Sequence, residues 1–298
     1  MTKHYFINRK TIEEPIVTEG IGIHSGERSK VRFLPANCGT GIVFINQRCG
    51  MNSPIHANPD SVSDTRFAIT LSNGDWKIRT VEHLLAVLFI LGITDLIVEV
   101  EGGEIPIYDG SSSPIVKLFE EKRLYTFEEV NRPLRILNPI WMIEEDKFII
   151  VLPSDIPKIS YTINYEHPVV QNQYAHYSLT RDVFIKEIAP ARTYGFERDV
   201  EFLWRNSLAM GGSLSNALVI SDNCYLNEPR FHDECVRHKI LDFIGDIALL
   251  GRPILGYFIV CKSGHTFDVE FVKRIRTIYS TADIGRPIDL AGETRERL

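Results

Sequence analysis

The chain is poor in several features that would place it in a ready class. Among its 298 residues only five are cysteine (Cys38, Cys49, Cys224, Cys235 and Cys261), widely spaced and with no Cys-x-x-Cys pair. A disulfide framework and a cysteine zinc site are therefore both disfavoured, and a reducing compartment fits. Basic residues are not in surplus, the net charge being −6, so a nucleic-acid binder is not expected. The longest apolar run, 84–91, is far too short to span a bilayer, and the first ten residues hold no apolar core of signal-peptide length. A cytoplasmic protein without a transmembrane segment is expected. Low-complexity tracts and a clear internal repeat are missing too. What is present is an ordinary globular balance, 44% hydrophobic and 24% charged, ample for a core.

Strand-like runs rich in β-branched and aromatic residues fall at 41–46, 66–71, 96–100, 148–152, 159–165, 216–220 and 256–261. Helix-like runs fall at 80–91, 114–122, 200–205, 233–250 and 267–278, with Gly92 and Gly251 placed to end two of them. Strands and helices mix without regular βαβ alternation, which predicts an α+β fold with helices on largely antiparallel sheets. A charged stretch at 125–133, ending in Asn-Arg-Pro, is the expected boundary between domains 1–127 and 128–298.

The stretch richest in chemistry runs from His238 to Asp246. His238, Asp242 and Asp246 recur every four residues and share one face of a helix whose other positions are mostly apolar. Buried carboxylates need a cation, a metal or several donors. His and Asp at i, i+4 form a usable zinc pair. On spacing alone an ordinary His–Asp helix pair plus a solvated aspartate is the commoner outcome. A second stretch, Thr-Val-Glu-His-Leu-Leu-Ala at 80–86, puts Glu82 and His83 near a helix start with Thr80 as a candidate cap. It is not His-Glu-x-x-His, so the signature of a metalloprotease is missing. Lys262-Ser-Gly-His265 follows a strand, where a loop histidine suits acid–base work or sits as a plain turn residue. Thr193 stands among aromatics in Ala-Arg-Thr-Tyr-Gly-Phe at 191–196. Gly-Ile-Gly-Ile-His-Ser-Gly at 20–26 permits unusual backbone angles but is not a dinucleotide fingerprint.

Taken in order with Glu-Ile-Pro-Ile-Tyr-Asp-Gly-Ser at 104–111, these stretches resemble the UDP-3-O-acyl-N-acetylglucosamine deacetylases, zinc enzymes of early lipid A synthesis in Gram-negative bacteria. The resemblance runs from about residue 19 to about residue 272. It implies two similar α+β domains with the active site between their helical layers. It further implies that His83, His238 and Asp242 hold one Zn²⁺, with Glu82 as general base. His265, oriented by Asp246, would be the electrostatic stabiliser and general acid, and Thr193 would help hold the oxyanion. Lys239 is implied at the diphosphate, and Tyr161 stacking near the uracil. The resemblance further implies Tyr194 and Lys262 as substrate contacts. An insert at about 194–219 would line an acyl passage with Val200, Ala209, Ser213, Ala217 and Val219. The chain departs from the family pattern at Asp268 and Val269, where an Asn-Asn pair is usual, and at Tyr194, where Phe is usual.

A His₂Asp set with an open position suits Fe²⁺ as well as Zn²⁺. The expected partner is a small UDP-sugar bearing an acyl chain, and the chain is expected to act as a monomer. A non-catalytic nucleotide-sugar binder on the same fold would have lost Glu82, a ligand or His265, and all of these are present.

Overall fold

The computed structural model describes residues 8–48 and 50–280. Cys49 and the outer ends of the two expected domains lie outside them.

The α+β expectation holds, and the two halves follow one plan. Each has a five-stranded sheet in which the chain lays down its first four strands, forms a helix, and returns to insert a fifth strand between the second and third. In the first half the spatial order is Ile16–Ile21, Arg28–Pro35, Leu96–Glu101, Ile42–Asn46, Ile55–His56. In the second it is Ile140–Glu144, Lys147–Leu152, Tyr257–Cys261, Lys158–Asn164, Asn172–Ser178. In both sheets the inserted strand runs parallel to its third-strand neighbour, pairing Ile97 with Val43 and Phe258 with Ile159. All other pairings are antiparallel. The repeat that the sequence does not display is thus plain in the topology.

Among the described residues six α-helical segments accompany the sheets: α1 Glu82–Leu91, α2 Ser113–Glu120, the short α3 Arg181–Val183, α4 Val200–Arg205, α5 Glu234–Ala248 and α6 His265–Ser280. The helix preceding the inserted strand is α1 in the first half and α5 in the second, and these two pack against each other. Helix α1 is buried at every position except Phe89, as its nearly unbroken apolar sequence requires. Gly245 marks the point of closest approach: a Cβ there would stand 2.1 Å from the Glu82 carbonyl oxygen. Only glycine lets the helices meet so closely.

Several expectations change. Gly92 does end α1, in the left-handed conformation at φ 71°. Thr80 does not cap it: its φ is 58°, and its hydroxyl donates to Glu104 Oε1 at 2.8 Å instead. The run 66–71 is a strand only from Thr70, because Phe67 takes φ 63° and turns the chain away. The run 216–220 begins its strand at Leu218. The charged stretch 125–133 is largely a strand, Leu124–Val130, paired antiparallel with Asn8–Ile12, so the expected 127/128 boundary falls inside it. Helix α6 starts at His265, which puts that residue at a helix N-terminus and not in a free loop. Among the described residues no helix is long and apolar enough to cross a membrane.

Candidate active site

The packing of α1 on α5 brings together side chains more than 150 positions apart in sequence. His83 comes from the first turn of α1, His238 and Asp242 from one face of α5, and all three are buried. Both imidazoles aim Nε2 at the same oxygen, Asp242 Oδ1, at 3.7 Å from His83 and 3.3 Å from His238. One donor atom from each lies within 4.8 Å of the others. Burial pushes the His83 imidazole down to about 3, and it lowers His238 as well. Burial thus favours the neutral imidazole, the form that ligates metals. His238 Nδ1 faces the Ala191 carbonyl at 3.2 Å, which orients the ring and leaves Nε2 free. Burial alone would raise the Asp242 carboxyl, but His238 and Lys239 beside it bring it well below the usual carboxylate range. Its second oxygen accepts from Lys239 Nζ at 3.0 Å. Two neutral imidazoles and one anionic carboxylate converging on a single point form a donor set suited to a tetrahedral divalent ion with one position open.

Glu82, His265 and Thr193 line the same cavity as these three side chains. Glu82 precedes His83 and is buried, with Oε2 accepting from the Ile69 backbone N–H at 3.0 Å. Burial raises its carboxyl to about 7, the range that suits a general base near neutral pH. His265 Nδ1 meets Asp246 Oδ2 at 2.7 Å, one turn further along α5 from Asp242. Thr193 is fixed by its backbone: its N–H donates to Gly110 at 2.8 Å, and its carbonyl accepts from Leu218 at 2.8 Å.

A cavity of about 790 Å³ opens over these groups and is lined by Glu82, His83, Thr193, His238, Asp242 and His265. Val200, Ala209, Ser213, Ala217 and Val219 line it too, as do Lys239, Tyr194 and Lys262. The segment that carries the first five is closed by strands Tyr194–Phe196 and Leu218–Ile220, which pair in parallel. Tyr194 donates to or accepts from Tyr165 across 2.8 Å between their hydroxyls. Lys262 reaches the cavity wall, but its ammonium pairs with Asp146.

Tyr161 is placed differently from the expectation. It lies on the core face of Lys158–Asn164, wholly buried against Phe243, and its hydroxyl donates to the Ser263 carbonyl at 2.9 Å. Sequence reasoning passed over Phe67, His24 and Trp204, all of which line the cavity. Phe67 sat in a run that reads as a strand. His24 had a usable signal in its glycine-rich loop, which Glu104 pins by accepting the His24 and Ser25 backbone N–H groups at 2.9 and 2.8 Å.

Comparison with known proteins gives the family. Residues 9–277 match the family described as LpxC: UDP-3-O-acyl N-acetylglycosamine deacetylase. A UDP-3-O-acyl-N-acetylglucosamine deacetylase of Leptospira biflexa is 43% identical over 271 residues, covering 90% of each chain. One from Thermodesulfovibrio yellowstonii is 42% identical over 268 residues, covering 90% of this chain and 91% of its own. Another from Thioalkalivibrio sulfidiphilus is 40% identical over 275 residues, with 90% of each chain covered. Similarity of this extent, together with a site drawn from both halves of one repeated fold, makes this chain a member of the UDP-3-O-acyl N-acetylglycosamine deacetylase family.

Proposed function

We propose that this protein removes the N-acetyl group of UDP-3-O-acyl-N-acetylglucosamine, giving acetate and the UDP-linked 3-acylated glucosamine, in the lipid A pathway of the bacterial cytoplasm. The observation that carries the reading is the meeting of His83, His238 and Asp242 beside the buried Glu82 carboxyl in the lining of one cavity. Zinc held by those three side chains would supply a Lewis acid that polarises the amide carbonyl and eases the ionisation of water. The same donor set accepts Fe²⁺.

Glu82 takes the proton of the attacking water and is well placed to do so, being raised to about 7 by burial and adjacent to the ligand His83. As the carbonyl carbon becomes tetrahedral, charge grows on its oxygen, and the Thr193 hydroxyl donates to it. His265 passes a proton to the amine nitrogen, so that the C–N bond breaks with a neutral leaving group. Asp246 orients its ring through Nδ1. Lys239 serves the diphosphate in this reading, while it also pairs with Asp242. Val200, Ala209, Ser213, Ala217 and Val219 supply the small or apolar wall that a fatty acyl chain requires. The two-domain organisation belongs to the same proposal, supported by the sheet order shared by the two halves.

The experiment is a paired measurement of bound metal, by atomic absorption, and of acetate release from the UDP-sugar. One equivalent of zinc with turnover is expected. Turnover at an undiminished rate after complete chelation would refute the proposal.

A further inference from the structure

Behind the three-ligand group lies a second cluster, built entirely on the C-terminal half. Asp246 on α5 and Asp268 in the first turn of α6 are 0% and 1% exposed. An oxygen of each and a ring nitrogen of His265 lie within 4.8 Å of one another. Asp246 Oδ2 is taken by His265 Nδ1, and Asp268 Oδ1 accepts from the Ser263 hydroxyl. The remaining oxygens, Asp246 Oδ1 and Asp268 Oδ2, are buried and have no donor among the described residues. An orphaned buried acceptor is costly, and two buried carboxylates side by side repel. A single proton between them answers both problems, because the hydroxyl of one acid donates to the orphan oxygen of the other. The surroundings favour that proton. Burial and then Asp242 hold the Asp246 carboxyl well above its ordinary value, and burial and then Asp246 do the same for Asp268.

We infer that Asp268 is a positioning residue: it keeps a proton and donates it to Asp246 Oδ1, so that Asp246 holds His265 as an anion with both oxygens paired. The inference rests on the roles proposed above for Asp246 and His265. The proton belongs on Asp268 because Asp246 already accepts from the imidazole, whereas Asp268 accepts only from a neutral hydroxyl. The charged and titratable groups around Asp268 are Asp246 and Lys239 from α5, His265 from its own helix, and Tyr161 from the strand Lys158–Asn164. Of these only Lys239 is a fixed cation, and it is engaged with Asp242. Protonated His265 balances one negative charge through Asp246, so the pair has no second cation to stabilise a double negative charge.

Two variants separate the shared proton from simple packing. Asp268→Asn puts an N–H where the acid proton would be, at every pH. Asp268→Leu keeps the bulk and offers no donor. Infrared difference spectra of wild type against Asp268→Asn at neutral pH should show the carbonyl stretch of a protonated carboxylic acid in the wild type alone. In acetate-release assays Asp268→Asn should keep kcat within about threefold, while Asp268→Leu should lose about tenfold or more with KM little changed. The infrared comparison needs only the Asn variant, so the inference stays open to refutation should the leucine variant not fold. It is overturned by a wild type lacking the acid band, by an Asn variant as impaired as the Leu variant, or by a second metal ion per chain that Asp268→Asn removes. A wild type that shows the band but releases no acetate would end the deacetylase reading and with it the positioning role, while leaving the shared proton intact.

Discussion

The two halves share a sheet order but not a division of labour. Helix α1 is almost wholly apolar and offers chemistry only at its N-terminal turn, through Glu82 and His83. Its counterpart α5 carries a polar ladder, His238, Asp242 and Asp246, along a full two turns of one face. The segments leading into these helices differ likewise. In the first half a small sheet of Val62–Asp64, Thr70–Ser72 and Lys77–Arg79 brings Thr65 and Phe67 to the cavity. In the second a longer excursion supplies Thr193, Tyr194 and the apolar wall around α4. In the proposed reaction a repeated scaffold would thus become an asymmetric site: one half would contribute a base and one ligand, the other most of the ligands, the acid and the substrate passage. Because the ion would bridge the halves, the α1–α5 seam is where folding and catalysis meet.

The largest expected effect tests the contribution of the first half. Glu82→Ala should lower kcat about 100- to 10,000-fold while the bound metal stays near one per chain, because the carboxyl acts on the nucleophile and is outside the ligand set. Loss of the metal in that variant would move Glu82 into the coordination shell. Next comes the seam. Gly245→Ala sets a methyl against the Glu82 backbone and should destabilise the protein by about 3 kcal/mol, read by urea unfolding, with weakened metal binding. A stable variant of undiminished metal affinity would mean the helices part without consequence.

A pH comparison sharpens the contrast between buried groups. Burial raises Glu82 from an ordinary 4.5 to about 7. Between those values the unfolded chain loses a proton that the folded one keeps, so metal-free wild type loses stability as pH rises through that window. The loss should approach about 3 kcal/mol relative to Glu82→Gln, whose side chain stays neutral. Parallel stability curves for the two proteins would show that Glu82 ionises freely in the fold. The smallest effect belongs to the passage. Ala217→Leu, at the cavity wall, should slow long-chain substrates by about tenfold and leave short-chain ones within about twofold. Equal slowing of both would place the acyl chain elsewhere.

One face of this site was legible in sequence because helical periodicity is local, whereas the roles of Glu82, His83, Thr193 and His265 rested on the resemblance. Four-residue spacing puts His238, Asp242 and Asp246 on one face whatever the tertiary context, and α5 bears it out. Contacts set by the tertiary fold were not legible. Thr80 resembles a cap, but its hydroxyl is claimed by Glu104, brought across by an adjacent strand bridge. Tyr161 is an aromatic on a strand, and only the packing of α5 decides which face is the core. The repeat itself is invisible because sheet order is fixed by which strand inserts where, and the two halves reach it with different residues. Asp268 shows the same limit. Its partner is 22 positions away on another helix, and nothing in the local pattern predicts that two acids would meet.

In the proposed reaction a single ion held jointly by the two halves is required for turnover. The direct measurement is a zinc titration of chelated wild type, His83→Ala and His238→Ala, following bound metal and acetate release together. Wild type should regain full activity at one equivalent, and neither variant should hold stoichiometric zinc or recover, since each half supplies a ligand the other cannot replace. A His83→Ala protein that binds one zinc and turns over at the wild-type rate would show that the first half supplies no essential ligand.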